Sequence, residues 1–144
     1  MNLALKEAKK AYLKGDVPVG CVIVKNGEVI AKAHNTRQSK NDTMGHAEIN
    51  AIKKACKKLN AWILEDATIY VTLEPCLMCA GAILNARISN LVYATEEPKF
   101  GSVESVANVL DNDKYNHKVK IEKGVLKEES SNLLKTFFKE LRNK

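Results

Sequence analysis

Short β-rich runs alternate with stretches of helical periodicity along the whole chain, and this alternation limits the possible folds more than any other feature. Apolar residues three or four positions apart predict helices over residues 1–14 and 46–59. Compact apolar runs predict strands over residues 17–25 and 67–73. Strands separated by helices favour parallel pairing within one sheet, so the pattern predicts an α/β fold.

One antiparallel pair is expected within this sheet, because Asn26-Gly27 can supply the two positive φ angles of a tight hairpin turn and residues 28–34 can return as the second strand. The rest of the chain predicts two more strands, over residues 88–94 and 119–125. It also predicts a helix from Pro75 to about Asn85 and a short helix over residues 103–110. A C-terminal helix is expected to have an apolar face formed by Leu133, Leu134, Phe137, Phe138 and Leu141. A chain of 144 residues suits one core. We therefore expect one domain, residues 1–144, built as a three-layer α/β/α sandwich around a five-stranded mixed sheet.

The charge balance is basic, with 23 Lys and Arg residues against 17 Asp and Glu residues and a net charge of +6. This suits an anionic partner such as nucleic acid, and it equally suits a soluble basic protein. The second helix carries lysines that we interpret as a solvated face in preference to an RNA-binding patch: Lys53, Lys54, Lys57 and Lys58.

No apolar run approaches the ~20 residues of a membrane-spanning helix, and residues 1–14 lack an apolar signal core. We expect a cytoplasmic protein that does not bind membranes.

Four cysteines lie at positions 21, 56, 76 and 79. An even number could form disulfides in a secreted protein, whereas a Cys-x-x-Cys pair in the cytosol more often binds metal or is redox-active. Cys21, in a strand, and Cys56, on a helix, are expected to be small core residues. Cys76 and Cys79 lie three positions apart on a predicted helix, so their sulfurs should share one face.

The segment His46-Ala47-Glu48 can add an imidazole to this cysteine pair, because both helix starts can meet at one edge of the sheet. One imidazole and two thiolates give three zinc ligands. A structural zinc usually has four protein ligands, whereas a catalytic zinc keeps one position for water. No fourth ligand has a suitable spacing, although the sequence alone leaves His34 and His117 open.

Glu48 is two residues from His46 and should lie near a zinc-bound water, whose pKa the metal lowers to about 7. A carboxylate there can pass the proton of that water to a ring nitrogen and then to a leaving amine, as hydrolytic deamination requires. A histidine at a helix start is usually structural, and a lone Cys-x-x-Cys is ambiguous between zinc, redox and core roles. The joint pattern, His-x-Glu followed by Pro-Cys-x-x-Cys, is the known signature of zinc nucleobase deaminases.

Nearly the whole chain resembles the bacterial tRNA-specific adenosine deaminase family, within the cytidine deaminase-like superfamily. The resemblance lies in these stretches: Asp16-Val17-Pro18-Val19-Gly20, Gly45-His46-Ala47-Glu48-Ile49, residues 66–76, Met78-Cys79-Ala80-Gly81-Ala82, Pro98-Lys99, Asn116-His117 and Phe137-Phe138. The zinc motif alone indicates only the superfamily. The flanking stretches and the Phe-Phe pair in the last helix narrow the resemblance to the tRNA branch.

This resemblance implies conversion of the wobble adenosine of tRNA to inosine, in which zinc-bound hydroxide attacks C6 and Glu48 shuttles protons. It implies one Zn²⁺ per subunit, held by His46, Cys76 and Cys79, and a homodimer whose subunits line the groove for the anticodon stem-loop. It also implies a set of substrate-binding residues: Asn35, which would hydrogen-bond the flipped base, and Ala47, Lys99, Asn116, His117 and Phe138.

Several of these contacts have ordinary alternatives, and the sequence departs from the family at three places. Asn35 could instead cap a turn, Lys99 could be a solvated lysine, and Phe138 could be a core residue. Cys21 stands where alanine is more common, Thr43-Met44 replaces part of a common Pro-Thr-Ala, and Glu97 stands where an aspartate usually contacts the RNA sugar. None of these departures touches the zinc ligands.

Two other functions compete with the tRNA deaminase. One is a free-base guanine or cytosine deaminase on the same fold, and the other is a non-catalytic nucleic-acid-binding module with a structural zinc. Residues 135–144 contain four basic side chains against the single acid Glu140, which favours RNA because phosphate contacts need Lys and Arg. Glu48 and the missing fourth ligand argue against a purely structural zinc.

Overall fold

The computed structural model describes all 144 residues and contains four helices and five strands. In chain order they are α1 (Asn2–Leu13), β1 (Gly20–Lys25), β2 (Glu28–His34), α2 (Ala47–Leu59), β3 (Ala67–Leu73), α3 (Leu77–Asn85), β4 (Asn90–Thr95), β5 (Lys120–Lys123) and α4 (Lys127–Arg142). The expected alternation of strands and helices is therefore present, and most element bounds lie within two residues of those expected.

The five strands form one mixed sheet in the order β2-β1-β3-β4-β5. β1 pairs antiparallel with β2 and β3, whereas β3, β4 and β5 run parallel. The turn between β1 and β2 has φ angles of 53° at Asn26 and 75° at Gly27, as the hairpin prediction requires. The five-stranded mixed sheet is thus confirmed.

Helices cover both faces of the sheet, which confirms the three-layer arrangement. α1 and α4 share one face and meet through Tyr12 and Phe137, whose ring centroids are 5.6 Å apart. The main core lies on the opposite face, between the sheet and the helices α2 and α3. It includes Cys21, Ile23, Ile69, Val71, Leu91 and Tyr93 from the strands and Ala47, Ala51, Ala55, Ala80 and Ile83 from the helices. None of the helices combines the length and the hydropathy that crossing a bilayer requires.

Gly20 allows α1 to lie directly against β1. A Cβ at this position would come within 1.8 Å of the carbonyl oxygen of Ala4 and within 2.5 Å of the amide nitrogen of Ala8. The N–H of Gly20 donates to Oγ1 of Thr72 at 3.1 Å. A side chain at position 20 would therefore push α1 away from the sheet.

The expected short helix over residues 103–110 is wrong. The N–H groups of residues 103–105 donate to the carboxylate of Glu74 instead of entering a helical ladder. The N–H of Val106 donates to the carbonyl of Gly101, five positions back, so the repeating four-residue bonds of an α-helix do not form. A contact distant in sequence has overridden the local apolar pattern.

β1 and β5 are shorter than expected, for local reasons. The N–H of Val19 donates to the carbonyl of Val17 at 2.8 Å, and Pro18 between them has no N–H, so this stretch turns before β1 begins. Gly124, with φ of 89°, ends β5. The carboxyl ends of β3 and β4 lead directly into the segments that carry Cys76 and Lys99.

Candidate active site

His46 is the residue that caps the start of α2, in an extended conformation with φ of −77° and ψ of 150°. The loop before it is fixed by a hydrogen bond from the N–H of Thr36 to the carbonyl of Gly45 at 2.8 Å. In the first turns of α2, Nδ2 of Asn50 donates to the carbonyl of His34 and to Oγ1 of Thr36, both at 3.0 Å. These hydrogen bonds hold the start of α2 in place, and the imidazole of His46 projects from it.

Cys76 occupies the equivalent position at the start of α3, with ψ of 178°. Pro75, which lacks an N–H, precedes it at a place where no backbone donor is needed. The N–H of Ala80 donates to the carbonyl of Cys76 at 2.8 Å, so Cys79 lies one turn further on the same helix and is fully buried. The expected alignment of the two sulfurs is present.

The three predicted metal ligands form one cluster. Nδ1 of His46 lies 3.5 Å from Sγ of Cys76 and 3.5 Å from Sγ of Cys79, and all three ligand atoms lie within 4.8 Å of one another. Two sulfurs and one imidazole nitrogen are donors that zinc binds in proteins, so the cluster is compatible with a zinc ion.

The two histidines that the sequence left open lie elsewhere. Nδ1 of His34 faces Oε1 of Glu7 at 3.1 Å, and Nε2 of His117 lies 2.6 Å from the carbonyl oxygen of Ile88. Neither joins the cluster, in which His46 is the only histidine. The cluster thus offers three ligands, the number expected when a metal keeps an open position.

The cluster favours negative charge on the sulfur of Cys76 and disfavours it on that of Cys79. A hydrogen bond from the Cys79 thiol, with a further contribution from His46, lowers the pKa of Cys76 to about 4. The same hydrogen bond, together with burial, raises the pKa of Cys79, and the hydrogen bond with Cys76 raises the pKa of His46. Because thiols must lose their protons to bind a metal, zinc binding to this cluster would release protons.

Glu48 lies in the first turn of α2 and is 4% exposed. Burial raises the pKa of its carboxyl to about 7, against the opposing influence of backbone hydrogen bonding and the charge of His46. A carboxyl with such a pKa can both accept and donate a proton near neutral pH. Glu48 is not one of the three clustered ligands.

Asn35 and Ala47 border the same region but are tied to the backbone. Nδ2 of Asn35 donates to the carbonyl of Val17 at 3.1 Å, and its Oδ1 accepts from the N–H of Arg37 at 3.0 Å. These two bonds cap a turn and use one N–H and one lone pair of the side-chain amide. Ala47 is fully buried as the first residue of α2.

The other expected substrate contacts lie outside the ligand cluster, and the contact of His117 with Ile88 places it at the amino end of β4. Lys99 is exposed in the segment after β4, while Asn116 and His117 line an open groove together with Leu77 of α3. Phe138 lies on α4, is 41% exposed, and packs edge-on against Phe137 with ring centroids 5.4 Å apart. None of these four side chains contributes to the ligand cluster.

Two further residues near the site were missed by the sequence analysis. Arg37 is exposed, and its positive charge acts to lower the pKa of His46, so this cation lies near the cluster. The sequence analysis predicted only a loop for the segment that contains Arg37. Glu74 is a buried carboxylate two residues before Cys76. Its position beside the Pro-Cys motif was visible, but its hydrogen-bond donors lie more than twenty positions away in the chain.

Comparison with known proteins gives full-length similarity to deaminases. A family model for MafB19-like deaminases matches residues 1–142. The tRNA-specific adenosine deaminase of Bacillus subtilis is 49% identical over 144 residues, which cover 100% of this chain and 89% of that protein. The protein of the same name from Aquifex aeolicus is 50% identical, over 99% of this chain and 94% of its own length.

A solved structure supports the same relationship. It comes from work on A-to-I editing by tRNA:A34 deaminases at the wobble position of transfer RNA, and it superposes with a TM-score of 0.89 at 42% sequence identity. The match covers 93% of this chain and 97% of the other. The similarity therefore extends over the fold, including α4, and is not limited to the ligand motif.

Proposed function

The chain belongs to the tRNA-specific adenosine deaminase family, and on that premise we propose that it converts adenosine 34 of tRNA to inosine by hydrolysis. The observation that carries this proposal is the juxtaposition of the cluster His46, Cys76 and Cys79 with the buried Glu48. The cluster offers three ligands, and a carboxyl that can exchange protons at neutral pH lies beside it.

His46, Cys76 and Cys79 would hold one zinc ion per subunit. When bound, zinc supplies a Lewis acid that makes water nucleophilic at neutral pH. Two thiolates balance the two positive charges of the ion, and the low pKa of Cys76 means that one thiolate is available without further proton loss. The other residues of the site then have to position the base and move protons.

Glu48 takes a proton from the attacking water and delivers protons to the purine ring and the leaving amino group. A C6–O bond forms, the C6–N6 bond breaks, and ammonia leaves, so the net reaction is adenosine plus water to inosine plus ammonia. Burial supports this role, because it brings the pKa of Glu48 close to the working pH. Asn35, through the N–H and the lone pair that its two backbone hydrogen bonds leave free, and the backbone at Ala47 would orient the flipped base.

The anticodon stem-loop would be bound by four residues outside the ligand cluster, three of them exposed and His117 half-buried: Lys99, Asn116, His117 and Phe138. The net charge of +6 favours an RNA partner over a neutral free base. An aromatic side chain such as the half-exposed Phe138 can stack on an unpaired base. We propose that residues 1–144 act as a single deaminase domain, in the cytoplasm where this substrate is found.

We also propose that the enzyme is a homodimer that associates through α3. This nine-residue helix carries no charged side chain, and Leu77 at its start is 65% exposed. Met78, Gly81 and Ala82 extend the same apolar surface along the open groove that Asn116 and His117 also line, so both subunits would contribute to the RNA-binding groove. Sedimentation of the wild type as a dimer and of Leu77→Asp as a monomer would support this interface. A monomeric wild type would contradict it.

The decisive experiment uses the zinc-loaded protein with an anticodon stem-loop RNA that contains A34. We expect inosine at A34, detected by nuclease digestion and chromatography, together with one ammonia per base converted. A matched stem-loop with adenosine moved into the paired stem should stay unmodified, because the base must be flipped out. Ammonia from guanine or cytosine, with no inosine in the RNA, would show the free-base alternative to be right.

A further inference from the structure

Glu74 is a buried carboxylate whose hydrogen-bond donors come from a single segment, residues 96–105. It lies between β3 and Cys76 and is 2% exposed. Its Oε1 accepts from the N–H of Glu97 at 3.0 Å and from the hydroxyl of Ser105 at 2.5 Å. Its Oε2 accepts from the N–H groups of residues 103, 104 and 105 at 3.1, 2.8 and 3.0 Å.

No lysine or arginine pairs with this carboxylate; the segment itself supplies the compensating dipoles. Five donors converge on the two oxygens of Glu74, so both oxygens serve as acceptors, as in a carboxylate. Charge-assisted hydrogen bonds of this kind are roughly twice as strong as those between neutral groups.

Gly101 lets the segment close over the carboxylate. A Cβ at this position would lie 2.4 Å from both Cδ and Oε1 of Glu74 and 2.6 Å from Oε2. The backbone of the segment therefore lies in direct contact with the Glu74 side chain, and only glycine fits between them.

The segment is also tied to the start of α3. The N–H of Ser102 donates to the carbonyl of Pro75 at 2.9 Å, one residue before Cys76. Between the fixed points Glu97 and Gly101, the chain presents Lys99 and Phe100 outward, and Phe100 is 69% exposed. Hydrogen bonds to Glu74 and Pro75, next to the metal ligand Cys76, thus hold the side chains of Lys99 and Phe100 on the surface.

We propose that Glu74 is a positioning residue for RNA binding: its carboxylate holds residues 96–105 so that Lys99 and Phe100 meet the RNA beside the metal centre. This inference rests on the proposed function, since it assigns a substrate to the segment. Glu74 itself does not touch the RNA. A segment ordered in advance binds more tightly because less conformational freedom is lost on association.

Glu74→Gln tests the proposal, with Glu65→Gln as its control. The amide of glutamine is neutral and offers one acceptor oxygen where the carboxylate has two, so some of the five donors lose their acceptor. We expect the KM for the stem-loop to rise about tenfold, which corresponds to the loss of a charge-assisted hydrogen bond. The kcat should fall less than about threefold, and the zinc content should not change. Glu65 carries the same charge but is exposed and lies outside residues 96–105, so Glu65→Gln should keep the wild-type KM.

Ser105→Ala provides a milder variant that keeps the carboxylate and all its backbone contacts. Removal of one hydroxyl donor should raise the KM about threefold. In the double variant with Glu74→Gln, the two effects should not multiply, because both act on one hydrogen-bond network. If Glu74→Gln does not fold, this variant decides the question, and an unchanged KM in Ser105→Ala then overturns the proposal.

Hydrogen exchange separates this proposal from the proposed function, because it needs no substrate. Amides 103–105 should exchange faster in Glu74→Gln than in the wild type, whereas those of β3 and β4 should not change. A folded, zinc-loaded Glu74→Gln with unchanged exchange, or with a wild-type KM, overturns the role of Glu74. A wild type that exchanges as expected but forms no inosine overturns the proposed function, and with it the RNA-binding part of this inference.

Discussion

Nδ1 of His46 lies 3.5 Å from Sγ of Cys79, although 33 positions separate the two residues in the chain. His46 caps α2 and Cys79 lies in the first turn of α3, and these helices pack on the same face of the sheet. The distance between the two ligand atoms is thus fixed by the packing of two helix starts. Substitution of a ligand should therefore remove the metal, whereas substitution of a core residue should leave the metal content unchanged.

Cys76→Ser and Cys79→Ser should each lose zinc and activity, whereas Cys21→Ala and Cys56→Ala should keep both. A serine hydroxyl is a harder ligand that stays protonated, so it binds zinc much more weakly than a thiolate. Cys21 is fully buried in β1 and Cys56 lies on α2, and neither has a second thiol three positions away. Their truncation should cost only packing free energy, about 1–3 kcal/mol.

Metal analysis of the four purified variants, together with deamination rates, makes this comparison. A Cys21→Ala or Cys56→Ala protein that is folded but free of zinc would contradict the ligand set. The stability difference can be read separately from urea unfolding of the zinc-loaded proteins.

Glu48→Gln should retain zinc and the fold but lose turnover by about 10²–10⁴-fold, the usual contribution of a general acid–base group. Glutamine has nearly the same shape and is neutral, so burial does not disfavour it as it disfavours a charged carboxylate. Single-turnover deamination at matched zinc content measures the loss. Glu65→Gln, on the exposed surface, serves as the control. Turnover near the wild-type rate in zinc-replete Glu48→Gln would remove Glu48 from the mechanism.

The sequence allowed a correct prediction of most of the fold, because strong local signals carried it. The Asn26-Gly27 turn, the spacing of apolar residues in α2 and the β-branched run of β3 each depend on near neighbours. The grouping of His46 with Cys76 and Cys79 was also predictable, since two helix starts that follow strands can meet at one sheet edge.

The errors arose where a distant side chain determines the backbone. Val103 and Leu110 carry apolar side chains at a spacing that favours a helix, yet Glu74 binds the N–H groups of residues 103–105. No local rule identifies that carboxylate as their acceptor. Asn35 combines both kinds of contact: its Oδ1 caps a local turn at the N–H of Arg37, which was foreseen as an alternative, whereas its Nδ2 donates to the distant Val17, which no local rule predicts.

Folding stability should depend on pH through Glu7, which is buried in α1. Its Oε2 accepts from Nζ of Lys10 at 2.6 Å and its Oε1 from Nδ1 of His34 at 3.1 Å, while Nζ of Lys14 lies 3.4 Å from Nε2 of His34. Burial would raise the pKa of Glu7, but the hydrogen bonds from Lys10 and His34 outweigh it, so the pKa lies below the ordinary value of 4.5.

Because the folded-state pKa of Glu7 is depressed, its stabilisation is fully present above the unfolded pKa and is lost as the pH falls through the folded pKa. The wild type should thus be more stable than Glu7→Gln at about pH 6, and the difference should shrink below about pH 4.5. Urea unfolding at several pH values measures it, with Glu65→Gln as an exposed control. A difference that stays constant down to about pH 3 would contradict this assignment.

Binding of the anticodon stem-loop should weaken steeply with salt, and Lys99 should account for part of that dependence. Each phosphate of single-stranded RNA that a basic side chain neutralises contributes about −0.7 to the slope of log K against log salt. Lys99→Ala should therefore flatten the slope by about 0.7, whereas Lys57→Ala, on the solvated face of α2, should leave it unchanged. Fluorescence titrations between about 50 and 200 mM salt measure these slopes. A wild-type slope near zero would point to a small uncharged substrate, and an unaltered slope in Lys99→Ala would return that residue to the solvated surface.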